Sequence, residues 1–480
     1  MRQPIRRFVQ LAALLGAAPL AGAAPVAVSP DSPDSVLARS LFKELIEINT
    51  TDSVGSITQA SEAMAKRLRD AGFAAEDVQV LGPNDRKKNM VARLRGAGKH
   101  KPVLLIGHLD VVEAKREDWT TDPFQFVEKD GYFYGRGTQD MKDGDAIMVA
   151  AFIRLKKEGF RPDRDLILAL TADEEGGTSN GVDWLFKNHR ELVDAEFVLN
   201  HDGASVDTQD GKPLTYNLES SEKVYADYVL STTNPGGHSS IPRPENAIYE
   251  LVQGLDRLSK YEFPFELNSI TRAHYEAMVK VDSARSADMQ AILKTPPDLQ
   301  AVARLSRDIT DHSVMHTTCV ATRLSGGHAN NALPQRAQAN VNCRILPGHS
   351  LEEVRQELIK VVANPAISVE YVNDLGEVVG KATDRKGFPA PPLREDLMKP
   401  LRKLVNEFWP GLPIVPSMST GASDNVYVSN AGLPSYAITG VAIARNDDRA
   451  HGQDERLEVA SFYTGNEFYY RFLKALTSRK

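Results

Sequence analysis

At 480 residues, 42% hydrophobic and 25% charged, the chain has an ordinary globular balance and enough length for one large core and a second domain. The formal net charge is -7 and no long Lys/Arg run occurs, so no nucleic-acid partner is expected. A chain this large has a sufficient core without disulfides; Cys319 and Cys343 either pair or are buried thiols, and the sequence leaves that open.

The N-terminus reads as an export signal. Arg2, Arg6 and Arg7 precede an apolar stretch over 8–24, and "AGAAP" at 21–25 offers small residues for a signal-peptidase cut. The stretch is short for a membrane span of roughly 20 residues. Residues 1–24 are therefore expected to be removed, giving a periplasmic or secreted protein with no stable membrane insertion. Residues 25–35 read as a flexible mature N-terminus.

Helices are expected at 35–48 and 58–71, followed by alternating strands and helices. Residues 103–106, 166–170 and 197–199 are apolar strands, 141–157 is a helix with an apolar stripe, and 182–188 is a short helix. This alternation predicts an α/β domain with a mostly parallel sheet. From about 219 the pattern changes to strand 223–232, helix 245–260, strands 316–325 and 337–346, helix 350–363 and strand 367–372. That order suggests an α+β sandwich. Polar, mainly helical sequence over 262–312 interrupts it. The α/β pattern resumes after about 380, through "LPSYAITG" and a helix at 459–476. The expected division is one α/β domain in two parts, 30–218 and 380–480, around an inserted α+β domain, 219–379.

Metal-capable residues follow the apolar strands. "GHLD" supplies His108 and Asp110, "TADEEGG" supplies Glu174 and Glu175, "NHDG" supplies His201 and Asp202, and "ARNDDRAHGQDER" contains His451. "YGRGTQDMKDG" puts Asp140 just ahead of a helix. In parallel α/β sheets, sites form outside the carboxyl ends of the strands, so these side chains would converge. Taken singly, each has an ordinary explanation: Asp140 as a helix N-cap, Asp202 before Gly203 as a turn residue, Glu174 and Glu175 as a solvated turn. Taken together, imidazoles and carboxylates suit zinc, and a shared carboxylate suits a two-metal centre.

The chain resembles the dizinc exopeptidases that include aminoacylase, carboxypeptidase S, glutamate carboxypeptidase, succinyl-diaminopimelate desuccinylase and the carnosinase-type dipeptidases. The motifs are "GHLDVV", "GYFYGRGTQDMK", "TADEEGG", "GGHSSIP", "NNALP" and "HGQDER". The resemblance implies a zinc-peptidase catalytic domain with an inserted ferredoxin-like lid and dimerisation domain, and a homodimer. It implies two zinc ions per chain: His108 and Asp202 on one, Glu175 and His451 on the other, Asp140 bridging. Asp110 would orient His108, and Glu174 would be the general base of amide hydrolysis. His238 of "NPGGHSSIP" would donate a hydrogen bond to the developing oxyanion, often across a subunit boundary. Asn331 and Arg344 fall at substrate-binding positions; an acid is common two residues before this Arg, where the chain has Asn342. "STGASDN" at 419–425 is a weak pocket-lining motif, and "MKDG" departs from the more usual Met-Lys-Gly-Gly. The substrate expected is a small peptide, cleaved by a carboxypeptidase or dipeptidase. An N-acyl-amino-acid amidohydrolase is the alternative in the same class, and an inactive binding protein the alternative outside it.

Overall fold

The structure is a computed structural model describing residues 26–373, 375–384 and 389–478; the expected signal segment, 1–24, lies outside the described residues. The main layer is a six-stranded sheet ordered Val78–Leu81, Asn89–Leu94, Leu166–Thr171, Val103–His108, Phe197–Asn200, Ser435–Ala437. Only Asn89–Leu94 runs against its neighbours, so the sheet is mostly parallel, as expected. Val103–His108, Leu166–Thr171 and Phe197–Asn200 are buried along their whole length. Strands covered on both faces must be apolar throughout, which is why they read as unbroken runs.

Helices Pro33–Glu47, Ile57–Asp70, Lys142–Lys157 and Val459–Leu476 cover one face, and Gly181–Asn188 and Asn425–Asn430 the other. The first two begin where Ser32 and Ser56 accept the amides of Ser35 and Gln59, one or two residues from the expected ends. A four-stranded sheet, Ile414–Ser419, Lys212–Glu222, Ser205–Gln209 and Ala442–Ala444, was not anticipated from the sequence.

The strand Lys212–Glu222 runs on into Val224–Thr233 with only Lys223 between them, and the expected change of domain at 218–219 falls inside it. Val224–Thr233 belongs to an antiparallel sheet ordered Thr318–Gly326, Arg336–Ile345, Val224–Thr233, Ile367–Val372, Val378–Val379. Helices Ala247–Ser259 and Leu351–Val362 pack on it through Leu251, Leu258, Val354 and Leu358. The first four strands and the two helices give the ferredoxin-like order. Cys319 and Cys343 lie directly opposite in register and form a disulfide, which settles the alternative the sequence left open. The polar interruption forms helices Ser269–Val281, Ser286–Ile292, Leu299–Leu305 and Ile309–Met315. Among the described residues no helix is long and apolar enough to cross a membrane.

Candidate metal centre

The three acids of "TADEEGG" divide their work. Asp173 follows the end of Leu166–Thr171 at φ 58 and turns back into the protein. Its carboxylate pairs with the ammonium of Lys87, which also contacts Asp52 at 2.7 Å. Its second oxygen accepts the Ser179 amide at 3.1 Å. Gly177 allows this loop to close: its φ is +103, and a Cβ there would meet Asp173 Oδ2 at 2.3 Å. A buried carboxylate costs several kcal/mol unless paired and hydrogen-bonded, and here it is both. Lys87 carries no motif and was not singled out from the sequence.

Glu174 and Glu175 point the other way. Ligand-type atoms of His108, Glu174 and Glu175 lie within 4.8 Å of one another, as do those of Asp140, Glu175 and His451. Glu175 belongs to both groups. Asp140 stands between the imidazoles: Oδ1 is 3.1 Å from His108 Nε2, and Oδ2 is 2.9 Å from His451 Nε2. His451 Nε2 is also 2.9 Å from Glu175 Oε1.

His108 shows why this arrangement fits a cation. Its Nδ1 lies 3.0 Å from the Asp110 carbonyl oxygen, so Nδ1–H donates there and Nε2 is the nitrogen that faces Asp140. Nε2 is buried and makes no hydrogen bond of adequate geometry, although Asp140 is near. An imidazole nitrogen facing a carboxylate oxygen in this way shares either a proton or a metal ion with it. Asp110 orients the ring through its backbone; its own carboxylate is 3.9 Å from Nδ1 and instead accepts the Glu175 amide at 2.9 Å. One residue thus ties His108 to Glu175.

The charges tell the same story. Burial, then repulsion from Asp424, Asp202 and Glu175, pushes Glu174 up to about 9, although His108 opposes the shift. Burial and Asp140 push Asp202 up to about 7. Hydrogen bonds to the carboxylates of Asp140 and Glu175 raise His451 to about 10. Burial works against the charge on Asp140, yet His108 and His451 hold it well below the usual carboxylate range. Carboxylates that raise one another this way form a site suited to added positive charge.

Asp202, expected beside His108, belongs to neither close group; Glu174, expected as the base, is the acid found there. Asp202 is repelled by Asp140, Glu222 and Glu175, and its amide is held by the Asn200 side chain at 3.1 Å. Its neighbour His201 is structural. It is buried against Gly144, where a Cβ would come within 2.4 Å of its ring, and its Nε2 bonds Thr439 Oγ1 at 2.9 Å.

His238 and Asn331 come together elsewhere. A short ribbon pairs His238 with Ala332, and the Ser239 amide donates to the Asn331 carbonyl at 3.0 Å. Both side chains are exposed on the inserted domain, outside the two ligand groups. Arg344 lies over the Tyr225 ring at 4.8 Å. Asn342 faces Asp227 in register and donates to its carboxylate at 2.9 Å. The acid absent at position 342 is thus supplied by the adjacent strand.

Two further carboxylates position the centre. Glu455 lies inside "HGQDER" but was not singled out. It is fully buried and gathers the loop before the Lys142–Lys157 helix: it accepts from Arg136 at 2.7 Å and from the amides of Gly137, Gln139 and Asp140 at 3.0, 2.7 and 3.2 Å. Asp424 of "STGASDN" accepts from Thr171 Oγ1 at 3.2 Å and Asn180 Nδ2 at 2.7 Å, tying the C-terminal part to the acid loop. A buried carboxylate so bonded is costly to remove. Glu455→Ala should lower stability by about 3–5 kcal/mol by stranding Arg136. The milder Glu455→Gln should weaken metal affinity on the order of 10–100-fold. Denaturant unfolding and metal titration measure the two effects; unchanged metal affinity in Glu455→Gln would mean that Asp140 is positioned without it.

With this geometry in hand, comparison with known proteins is informative. The Dictyostelium discoideum protein named "Probable carboxypeptidase S-like 2" is 27% identical over 395 residues, covering 78% of this chain and 71% of the relative. The human N-fatty-acyl-amino acid synthase/hydrolase PM20D1 is 26% identical over 383 residues, covering 78% and 74%. In structure, an M20 family metallo-carboxypeptidase from Sulfolobus solfataricus superposes with a TM-score of 0.68 at 18% identity, over 92% of this chain and 99% of that one. Human carnosine dipeptidase 1 gives 0.59 at 16% identity, over 93% and 98%. The profile of Peptidase family M20/M25/M40 matches residues 104–475, a span that contains every residue of both ligand groups, and the chain belongs to that family.

Proposed function

We propose that this chain is an exported dizinc exopeptidase of carboxypeptidase or dipeptidase type. The observation that carries the reading is Asp140, which offers one oxygen to each of two histidines while Glu175 joins both ligand groups. His108 and Asp202 would hold one zinc, Glu175 and His451 the other, with Asp140 between. Closing the site this way requires the Asp202 carboxylate to draw in against the repulsion described above, which a divalent cation favours. Zinc, when bound, supplies Lewis-acid activation of the water and of the amide carbonyl. Glu174 accepts the proton of the attacking water and returns it to the leaving amine. Hydrolysis of N-acyl amino acids is the second reading, favoured by the name of the human relative; it uses the same residues. An inactive binding protein is disfavoured because every expected ligand and the base are present.

Glu174 and Glu175 separate chemistry from binding. Glu175→Ala should lower zinc content, whereas Glu174→Gln should keep the metal and lose turnover, because an amide cannot take the proton. Elemental analysis beside a peptide-hydrolysis assay reads both, and equal zinc loss in the two variants would reverse the assignment. Mature protein beginning near Pro25 on N-terminal sequencing would support export; an intact Met1 in the purified native protein would count against it.

A homodimer is part of the proposal. The edge strand Thr318–Gly326 and the neighbouring helix Ala247–Ser259 expose Val320, Leu324, Tyr249 and Val252. Such a dimer could carry the exposed His238 to the partner's metal centre as an oxyanion donor. Heterodimers re-formed from inactive Glu174→Gln and inactive His238→Ala subunits should then recover part of the activity, since one of the two sites is intact. No recovery in proven heterodimers would place His238 in its own subunit's site.

Arg344 would capture the free carboxylate of the residue leaving as amine, in the bidentate manner guanidinium favours. Losing a buried pair of this kind costs on the order of 2–5 kcal/mol. Arg344→Ala should therefore depress cleavage of free-acid substrates strongly, and amidated substrates should already be poor for the wild type. Equal cleavage of acids and amides would remove this role.

A further inference from the structure

Two adjacent residues grip different parts of the molecule where the chain enters the inserted domain. Lys223, fully buried, holds the helical excursion over 263–316: it donates to the carbonyls of Ser313 and His316 at 2.9 and 2.8 Å. Glu222 holds the catalytic domain. It ends the strand Lys212–Glu222, which runs parallel to Ile414–Ser419 with Ser419 as its partner in register. One of its carboxylate oxygens accepts the Ser423 amide at 2.9 Å. The other accepts Ser423 Oγ and, at 2.8 Å, Asn425 Nδ2.

Ser423 and Asn425 flank Asp424, so Glu222 staples the turn that carries Asp424 from both sides. The Asp424 carboxylate passes the hold on. Its Oδ1 accepts Asn180 Nδ2 at 2.7 Å, and its Oδ2 lies 3.2 Å from Thr171 Oγ1. Asn180 Oδ1 accepts the Asp183 amide at 3.0 Å and caps the helix Gly181–Asn188, which fixes the orientation of the carboxamide. The same Nδ2 therefore has a second proton to give, and it goes to the Asp173 carbonyl at 3.1 Å. That carbonyl belongs to the peptide joining Asp173 to Glu174. Every residue of this path is buried or half-buried, where water competes least for the bonds.

We infer that Glu222 is a positioning residue for Glu174: from the entry to the inserted domain it holds the acid loop in place through Asp424 and Asn180. The inference rests on the reading of Glu174 as the general base and adds what sets its place. One peptide bond separates Glu222 from Lys223, so a displacement of the inserted domain is felt at the acid loop. A run of hydrogen bonds becomes a coupling only when a change at one end is read at the other.

Hydrogen exchange and kinetics on zinc-loaded full-length protein supply that reading. The amides of Glu175, Ser179 and Gly181 are hydrogen-bonded and report on the acid loop. In Glu222→Ala, exchange should rise by about threefold or more over 172–181 as well as over 419–425. For a dipeptide substrate, kcat should fall about tenfold or more while KM stays within about twofold and zinc content is unchanged. Glu222→Gln keeps one oxygen for the Ser423 amide and should fall between Glu222→Ala and the wild type; it carries the test alone if the alanine variant does not fold. Asp424→Ala should lower kcat similarly, and the double variant should fall little further, since both break one path. Faster exchange confined to 419–425, a change in KM alone, or fully additive losses would each overturn the inference. A wild type that cleaves neither dipeptides nor N-acyl amino acids overturns the amide-hydrolase reading, and the exchange measurement then decides the tie between Glu222 and the acid loop by itself.

Discussion

Carboxylates crowd together at the ends of three neighbouring parallel strands, and their repulsion governs how the surrounding structure is arranged. Two unit charges 4 Å apart interact by about 4 kcal/mol at the effective dielectric of a protein surface, several times the net worth of one hydrogen bond. No single hydrogen bond could hold Asp140, Glu174, Glu175, Asp202 and Asp424 near one another. The structure divides the load instead. His108 and His451 flank Asp140 and hold its charge, while Glu174 and Asp202 are pushed up towards protonation. The divalent cations that the family's chemistry depends on would enter where this repulsion is greatest.

The supports of the centre use backbone more than side chain. Asp110 turns His108 with its carbonyl and holds the Glu175 amide with its carboxylate, so one residue sets two ligands. Glu455 gathers three amides of one loop and the Arg136 guanidinium, fixing Asp140 from behind. Lys87 and Asp173 do the same for the acid loop. Bonds to backbone amides keep a ligand in place without adding another charge to a site already crowded with them.

Where the chain enters the inserted domain a buried lysine joins the two sheets, and helix Ser269–Val281 packs on the strand Ile414–Ser419 as a second contact. Lys223 joins two strands and bonds the end of the helical excursion, so the sandwich, the excursion and the four-stranded sheet share one anchor. Burial lowers its affinity for the proton to about 7, with Arg344 adding repulsion. The carbonyls around it supply what no carboxylate does.

Local sequence was enough for the elements whose signal is local. Unbroken apolar runs marked the central strands, serine caps and apolar stripes marked the helices, and alternation marked the sandwich. The motifs at the strand ends named His108, Asp140, Glu175 and His451, which the fold does bring together. Other features depended on residues distant in the chain. Lys87 reaches Asp173 across 86 positions and Glu455 reaches Gln139 across 316, and no periodicity records such pairings. Asn342 looked like a missing acid until strand register put Asp227 opposite it. Three adjacent acids likewise read as one motif, yet a positive φ at Asp173 turns the first inward and leaves the other two for the metal centre. The sequence alone named the side chains that the fold gathers at the strand ends. Only the tertiary structure decided which hold them in place, because a buried charge takes its partner from whatever the fold packs against it.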